Sequence, residues 1–235
     1  MSSWWYRERG WIIGAFYGLG FLVTFLPVPG LLTEPAAAVW GAHWGLWGIY
    51  GLFWAGVLLG LFGWLMRLLG SAYLRGEIVF APDVQSDRLV VAGPFRFTRN
   101  PLYFGNDLLA LGIGLFASPL GFAIIVLGNF IFGALLAGEE GQGLSHHYGA
   151  DYEAYRRAVP PFLPRLTPVA AGADANVTPS WRSAFFAELF SFAMVDALLP
   201  ISIFGHAGLG ATEFIASVAV LLFLYTGRMG RRQTS

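Results

Sequence analysis

A 34-residue apolar stretch, Phe104–Ala137, stands between two polar clusters and constrains everything around it. The first cluster is Gly93-Pro94-Phe95-Arg96-Phe97-Thr98-Arg99-Asn100-Pro101-Leu102-Tyr103. The second begins at Gly138-Glu139-Glu140 and runs through Leu144, Tyr148-Gly149, Tyr152 and Tyr155-Arg156-Arg157 to Pro160-Pro161-Phe162-Leu163-Pro164. Ser118-Pro119 divides the apolar stretch into two arms, Leu102–Ala117 and Pro119–Ala137. At about 1.5 Å per residue, each arm is short for a bilayer core about 30 Å thick. A tight helical hairpin is the simplest solution. Its second arm returns to the level the first arm left, so Glu139 and Glu140 land beside Arg99 and Tyr103.

The rest of the chain is equally apolar. Of its 235 residues, 56% are apolar and 12% charged. A soluble domain carries roughly a quarter charged residues, so this balance reads as an all-α polytopic membrane bundle. Net charge is zero, which supplies no global field toward nucleic acid or acidic partners. There is no cysteine, which excludes thiol catalysis, thiolate metal ligation and disulfides.

In chain order, Trp11–Leu32 is a first span, too long for the apolar part of a signal peptide. Trp44–Met66 is a second, with Gly45, Gly48, Gly51, Gly56, Gly60 and Gly63 at spacings that let helix backbones approach in lipid. Arg67–Phe97 is mixed in charge and reads as a connector along the membrane surface. The hairpin supplies two further crossings. His146–Arg165 is polar and helical in pattern, with Tyr148, Tyr152 and Tyr155 spaced to share one face. Ala184–Phe204 and Gly210–Gly227 are two more spans, carrying Glu188, Asp196 and Glu213. Glu188 and Glu213 are expected to reach headgroup water, and Asp196, which lies deeper, to form a buried pair. This divides the chain into an N-terminal helix pair (1–66), a core (67–168), a linker (169–183) and a C-terminal helix pair (184–235).

With six spans, the far-side loops Leu32–His43, Ser118 and Gly205–Leu209 contain no arginine, and all fourteen basic residues fall on the other side. The positive-inside rule then puts both termini and both polar clusters in the cytoplasm. The expected location is the bacterial inner membrane.

Pro94 and Pro101 deny the intervening stretch a continuous helix and put Arg99 and Asn100 on a shaped turn at a helix start. Free backbone N–H groups and a partial positive charge there suit a carboxylate or phosphate. Glu139 and Glu140 supply the opposite sign at the membrane boundary. Adjacent helical residues point about 100° apart. One glutamate is free to face a cationic ligand while the other pairs with Arg99 or Arg156. Such a pocket matches a zwitterion. An interfacial salt bridge that merely pins the hairpin uses the same residues. His146 and His147 are adjacent and cannot ligate one metal as an i, i+4 pair can, so no metal is expected.

Taken jointly, the two clusters and the apolar hairpin between them, over Leu89–Arg165, resemble the isoprenylcysteine carboxyl methyltransferases and the related phospholipid N-methyltransferases. The resemblance implies a small helical bundle that binds S-adenosylmethionine between the two motifs. Carried over, Arg99, Asn100, Tyr103, Glu139 and Glu140 would line the cofactor site. Gly93 and Pro94 would shape its wall, and Leu144 and Tyr148 would lie near the adenosine. The family most often has His where this chain has Asn100, which hydrogen-bonds a carboxylate but does not titrate near neutral pH. The implied partner is a lipophilic methyl acceptor entering from the bilayer. Arg156 or Arg157 is available to hold an anionic one, and either serves equally as a positive-inside anchor. A carboxylate or thiolate acceptor needs no general base.

Two other readings compete. A membrane reductase of the sterol-reductase type shares the Arg-x-Pro-x-Tyr pattern of Arg99–Tyr103 and uses NADPH, but no added basic cluster awaits a 2′-phosphate. A transporter would line a path with Glu188, Asp196 and Glu213, but the halves show no inverted repeat.

Overall fold

The computed structural model describes residues 3–26, 33–74, 89–170 and 177–204. Among them there is helix and no strand. Helix α1 spans Trp4–Arg7 and α2 Arg9–Phe25; α3 is Ala36–Gly41 and α4 Gly45–Leu74. The hairpin is α5, Pro101–Gly114, and α6, Pro119–Tyr148. Helix α7 is Ala150–Ala158, followed by three short helices, α8 Trp181–Ala187, α9 Leu189–Asp196 and α10 Leu198–Phe204.

Two stretches are long and apolar enough to cross a membrane alone, Ala36–Leu74 and Pro119–Tyr148. The helices around Glu188, bent by 57°, make a third if they count as one span. Helix α2 is apolar but shorter, at 17 residues. The expected Gly210–Gly227 span, Pro27 and Pro29, and the connector from Arg75 to Arg88 lie outside the described residues.

The bundle is held by close backbone approach. A side chain on Gly63 would begin 2.6 Å from the Gly105 carbonyl, and one on Gly112 would begin 2.7 Å from the Gly60 nitrogen. These glycines let α4 and α5 touch along their length. Gly20 and Gly121 do the same for α2 and α6. Gly51, by contrast, faces open space. Leu109, Ile113, Phe116, Ile125, Val57 and Leu198 fill the core between these contacts.

At the end remote from the polar clusters, Ala36 and Ala37 donate backbone bonds to Ala117 and Leu115, at 2.7 and 3.0 Å. Ser118 caps α6 and donates its N–H to Thr24 at the end of α2, at 2.8 Å. The end of α2, the start of α3 and the turn between the hairpin arms therefore lie at one common level. Both clusters sit at the opposite level.

Four expectations are corrected. Arg67 belongs to α4, which continues to Leu74, and not to a surface connector. Helix α6 does not end near Ala137 but carries Glu139, Glu140, Leu144 and Tyr148 on one continuous rod. The helix breaks later, at Gly149, whose φ of 51° is left-handed, so the three tyrosines do not share one continuous helix. Finally, Glu188 does not reach headgroup water. Its carboxylate is fully buried and takes a two-pronged bond from Arg67, at 2.6 and 3.0 Å, with Ser71 at 2.5 Å and Ser191 at 2.9 Å. Arg67 also reaches Asn106 on α5, at 2.7 Å. Asp196, expected in that role, is only half-buried.

Candidate functional site

The first cluster is shaped by its own sequence. Gly93 adopts φ 54°, a conformation glycine takes without strain, and a side chain there would run into the Tyr73 ring. Pro94 opens a 3-10 turn over Gly93–Arg96. Asn100 is the N-cap of α5, and Pro101 fills its first position, where no N–H is needed.

The loop's backbone groups are satisfied by the end of the second cluster. Arg99 N–H donates to the Pro160 carbonyl at 2.9 Å, Arg165 N–H to Phe97 at 3.0 Å and Val169 N–H to Arg96 at 3.1 Å. The Asn100 side-chain amide and the Thr98 hydroxyl both donate to the Pro161 carbonyl, at 2.8 and 3.2 Å. The Tyr155 phenol donates to the Phe95 carbonyl at 2.8 Å. Burial pushes that phenol well above its ordinary range, partly offset by the nearby Arg99, so it serves only as a donor. The proline-rich end is therefore the receptor for the first cluster, since an irregular loop must place its polar backbone somewhere.

The two clusters meet at Tyr103 and Glu140. The Tyr103 hydroxyl, on the first turn of α5, donates to Glu140 Oε1 at 2.7 Å. Tyr6 donates to the same oxygen at 2.8 Å. Neither tyrosine engages Oε2. Glu139 accepts the Ser3 N–H and hydroxyl, at 2.7 and 2.6 Å. Neither glutamate is paired with Arg99 or Arg156, the two partners expected. Arg156 instead binds Glu153 at 2.9 Å, half-exposed. The Arg99 Nε atom is buried and has no hydrogen-bond partner.

Leu144 and Tyr148 follow Glu140 at successive four-residue steps and pack against Tyr152 and Tyr155 of α7 and Val159 at its C-cap. Tyr152 lies over Gly141, with its hydroxyl 3.1 Å from where a Cβ would stand. Leu144, Tyr148, Tyr152 and Tyr155 thus share one cluster although Gly149 interrupts the helix.

Three polar features were missed by the sequence reading. Ser3 and Tyr6 lie more than 130 residues from their glutamate partners, and no local pattern marks them. Asp107, buried at 7% exposure with Oδ1 unpartnered, sits four residues beyond Tyr103 inside the stretch taken as apolar. Its charge within an apolar run was the available signal.

The arrangement offers a buried guanidinium atom without a hydrogen-bond partner at Arg99 and, at Glu140, a carboxylate positioned by two phenols. These residue types fit a zwitterionic cofactor such as S-adenosylmethionine. The orphaned Arg99 atom is the observation that tests this fit, because buried polar groups otherwise find partners.

Residues 51–151 match the family described as phospholipid methyltransferase. The match runs from within α4 to the start of α7, across the first motif, the hairpin and the opening part of the second motif as far as residue 151, and the family is one of the two the motifs resemble. No curated protein and no solved structure matches the chain.

Proposed function

We propose, from the phospholipid methyltransferase match of residues 51–151, that this protein is an S-adenosylmethionine-dependent membrane methyltransferase acting on a lipophilic acceptor. The contact that supports this reading best is the 2.7 Å bond from Tyr103 to Glu140. It brings the arginine-bearing helix start and the acidic pair to one level, as a shared cofactor site requires.

In this reading Arg99, with Asn100 and the α5 N-terminus, takes the amino-acid carboxylate. Glu140 takes the cationic amino group, and Glu139 stands beside it. Gly93 and Pro94 keep the wall narrow, and Leu144 and Tyr148 give an apolar, aromatic seat for the adenosine. Bound S-adenosylmethionine supplies a methyl group on a positive sulfur. The chain's own task is to align an acceptor in line with that methyl and to exclude water. No residue is assigned as a general base. Arg156 is proposed to orient an anionic acceptor. Its pair with Glu153 is exposed to solvent and therefore weak, so it exchanges readily.

The proposed membrane frame has six spans, both termini cytoplasmic and the site at the cytoplasmic leaflet. The proposed core runs to residue 168 between two helix pairs, and its start at residue 67 falls inside α4, which continues to Leu74.

The experiment is transfer of tritiated methyl from S-adenosylmethionine in proteoliposomes made with a total membrane lipid extract. Label in the organic phase, lost in Glu140→Gln, is the expected result. Base-labile label identifies a carboxyl ester and base-stable label a headgroup or thioether. No transfer, together with tight NADPH binding, contradicts the reading and favours a reductase.

A further inference from the structure

The two adjacent glutamates are held by the N-terminal helix, which lies outside the family-matched segment. Both Glu139 oxygens are taken by one residue, Ser3, through its N–H and its hydroxyl. Glu140 shares one oxygen between Tyr6 and Tyr103. Ser3 is also the N-cap of α1 and accepts the Tyr6 N–H, at 3.4 Å. The clamp on Glu139 and the donor to Glu140 are thus parts of one short helix.

Tyr6 is itself fixed. It is 3% exposed and packs with Tyr103, Phe132 and Leu136. Arg9 lies 4.4 Å over its ring and donates to its carbonyl at 2.9 Å. Burial, then the Glu140 charge, holds the phenol well above its ordinary range, so it stays a donor. Two donors on one carboxylate oxygen hold its rotamer. The other oxygen, Oε2, is engaged by neither.

We propose that the N-terminal helix is a wall of the cofactor site, that Tyr6 is a positioning residue for Glu140, and that Glu139 is chiefly the clamp for this helix. The proposal rests on the S-adenosylmethionine reading above. It divides the acidic pair by role: Glu140 presents Oε2 to the ligand's cation, and Glu139 fastens the segment that holds Glu140 in place. A plain packing role for Tyr6 would reside in its ring, which Tyr6→Phe retains. A positioning role resides in the hydroxyl, which Tyr6→Phe removes.

The test is calorimetric titration of the full chain in detergent with S-adenosylhomocysteine, alongside thermal unfolding. Wild type, Tyr6→Phe, Glu140→Gln and the double variant are compared. Removing one charge-assisted donor is expected to raise Kd about three- to tenfold in Tyr6→Phe. KM for S-adenosylmethionine rises with it, while KM for the acceptor does not. The double variant is expected to bind no more weakly than Glu140→Gln alone, because Tyr6 acts through Glu140. Ser3→Ala, which removes one donor from the clamp, shifts Kd in the same direction and serves if Tyr6→Phe does not fold. Wild-type affinity in Tyr6→Phe, or additive losses in the double variant, overturns the proposal. Failure of the wild type to bind S-adenosylhomocysteine overturns the parent reading and this one together, a pattern distinct from failure at Tyr6 alone.

Discussion

At the scale of single residues, a buried charge needs partners and a tight turn needs a particular shape. Arg67 and Glu188 illustrate the first. The carboxylate is fully buried and saturated by Arg67, Ser71 and Ser191. Removing one member leaves a buried charge uncompensated, at a cost of about 3–5 kcal/mol. Glu188→Ala is therefore expected to lower the unfolding temperature in detergent sharply. Arg67→Met combined with Glu188→Leu should recover much of the loss, and a thermal shift series reads both. Gly93 illustrates the cost of shape. Alanine at its φ of 54° loses about 1–2 kcal/mol from the backbone alone and meets the Tyr73 ring. Gly93→Ala should lower both the unfolding temperature and the affinity for S-adenosylhomocysteine. The residue types at Arg99, Tyr103, Glu139 and Glu140 were legible in the sequence because charge in an apolar setting stands out. Their partners were not. Ser3 and Tyr6 are ordinary residues made important by a contact across the whole chain.

At the scale of elements, helix contacts follow glycine, and the structure separates the glycines that matter from those that do not. Gly63 faces the Gly105 carbonyl, whereas Gly51 faces open space. Valine at position 63 must push α4 and α5 apart, an overpacking cost of about 1–3 kcal/mol. Gly63→Val should lower the yield of folded protein and its unfolding temperature. Gly51→Ala should leave both unchanged or improved, since alanine favours a helix by up to about 1 kcal/mol. The hairpin break was legible, because Ser118-Pro119 is an N-cap followed by a proline at the first helical position. The ends of α4 and α6 were not. Arg67 looked like the end of a span by polarity, yet Glu188 lets it remain inside the helix. Glu139 and Glu140 looked like an exit from the membrane, yet the helix continues to Tyr148 and yields only at Gly149. Polarity marks where a span is unfavourable, and a partner from a distant segment removes that penalty.

At the scale of the whole molecule, the end of α2 and the turn between the hairpin arms share one level, and both polar clusters share the other. The proposed orientation makes the second level cytoplasmic. The chain contains no cysteine, so single cysteines introduced at exposed positions report sidedness without background. An impermeant maleimide applied to intact cells should label Glu34→Cys directly and Arg157→Cys only after permeabilisation. Labelling of both from the same side contradicts the orientation. The account as a whole depends on Glu140 and the α5 start gripping one charged nucleoside. Titration of S-adenosylhomocysteine into wild type, Glu140→Gln and Tyr103→Phe examines that grip directly. Saturable wild-type binding, weakened about tenfold or more in Glu140→Gln and less in Tyr103→Phe, is the predicted result. Wild-type binding that both variants leave unchanged would contradict it.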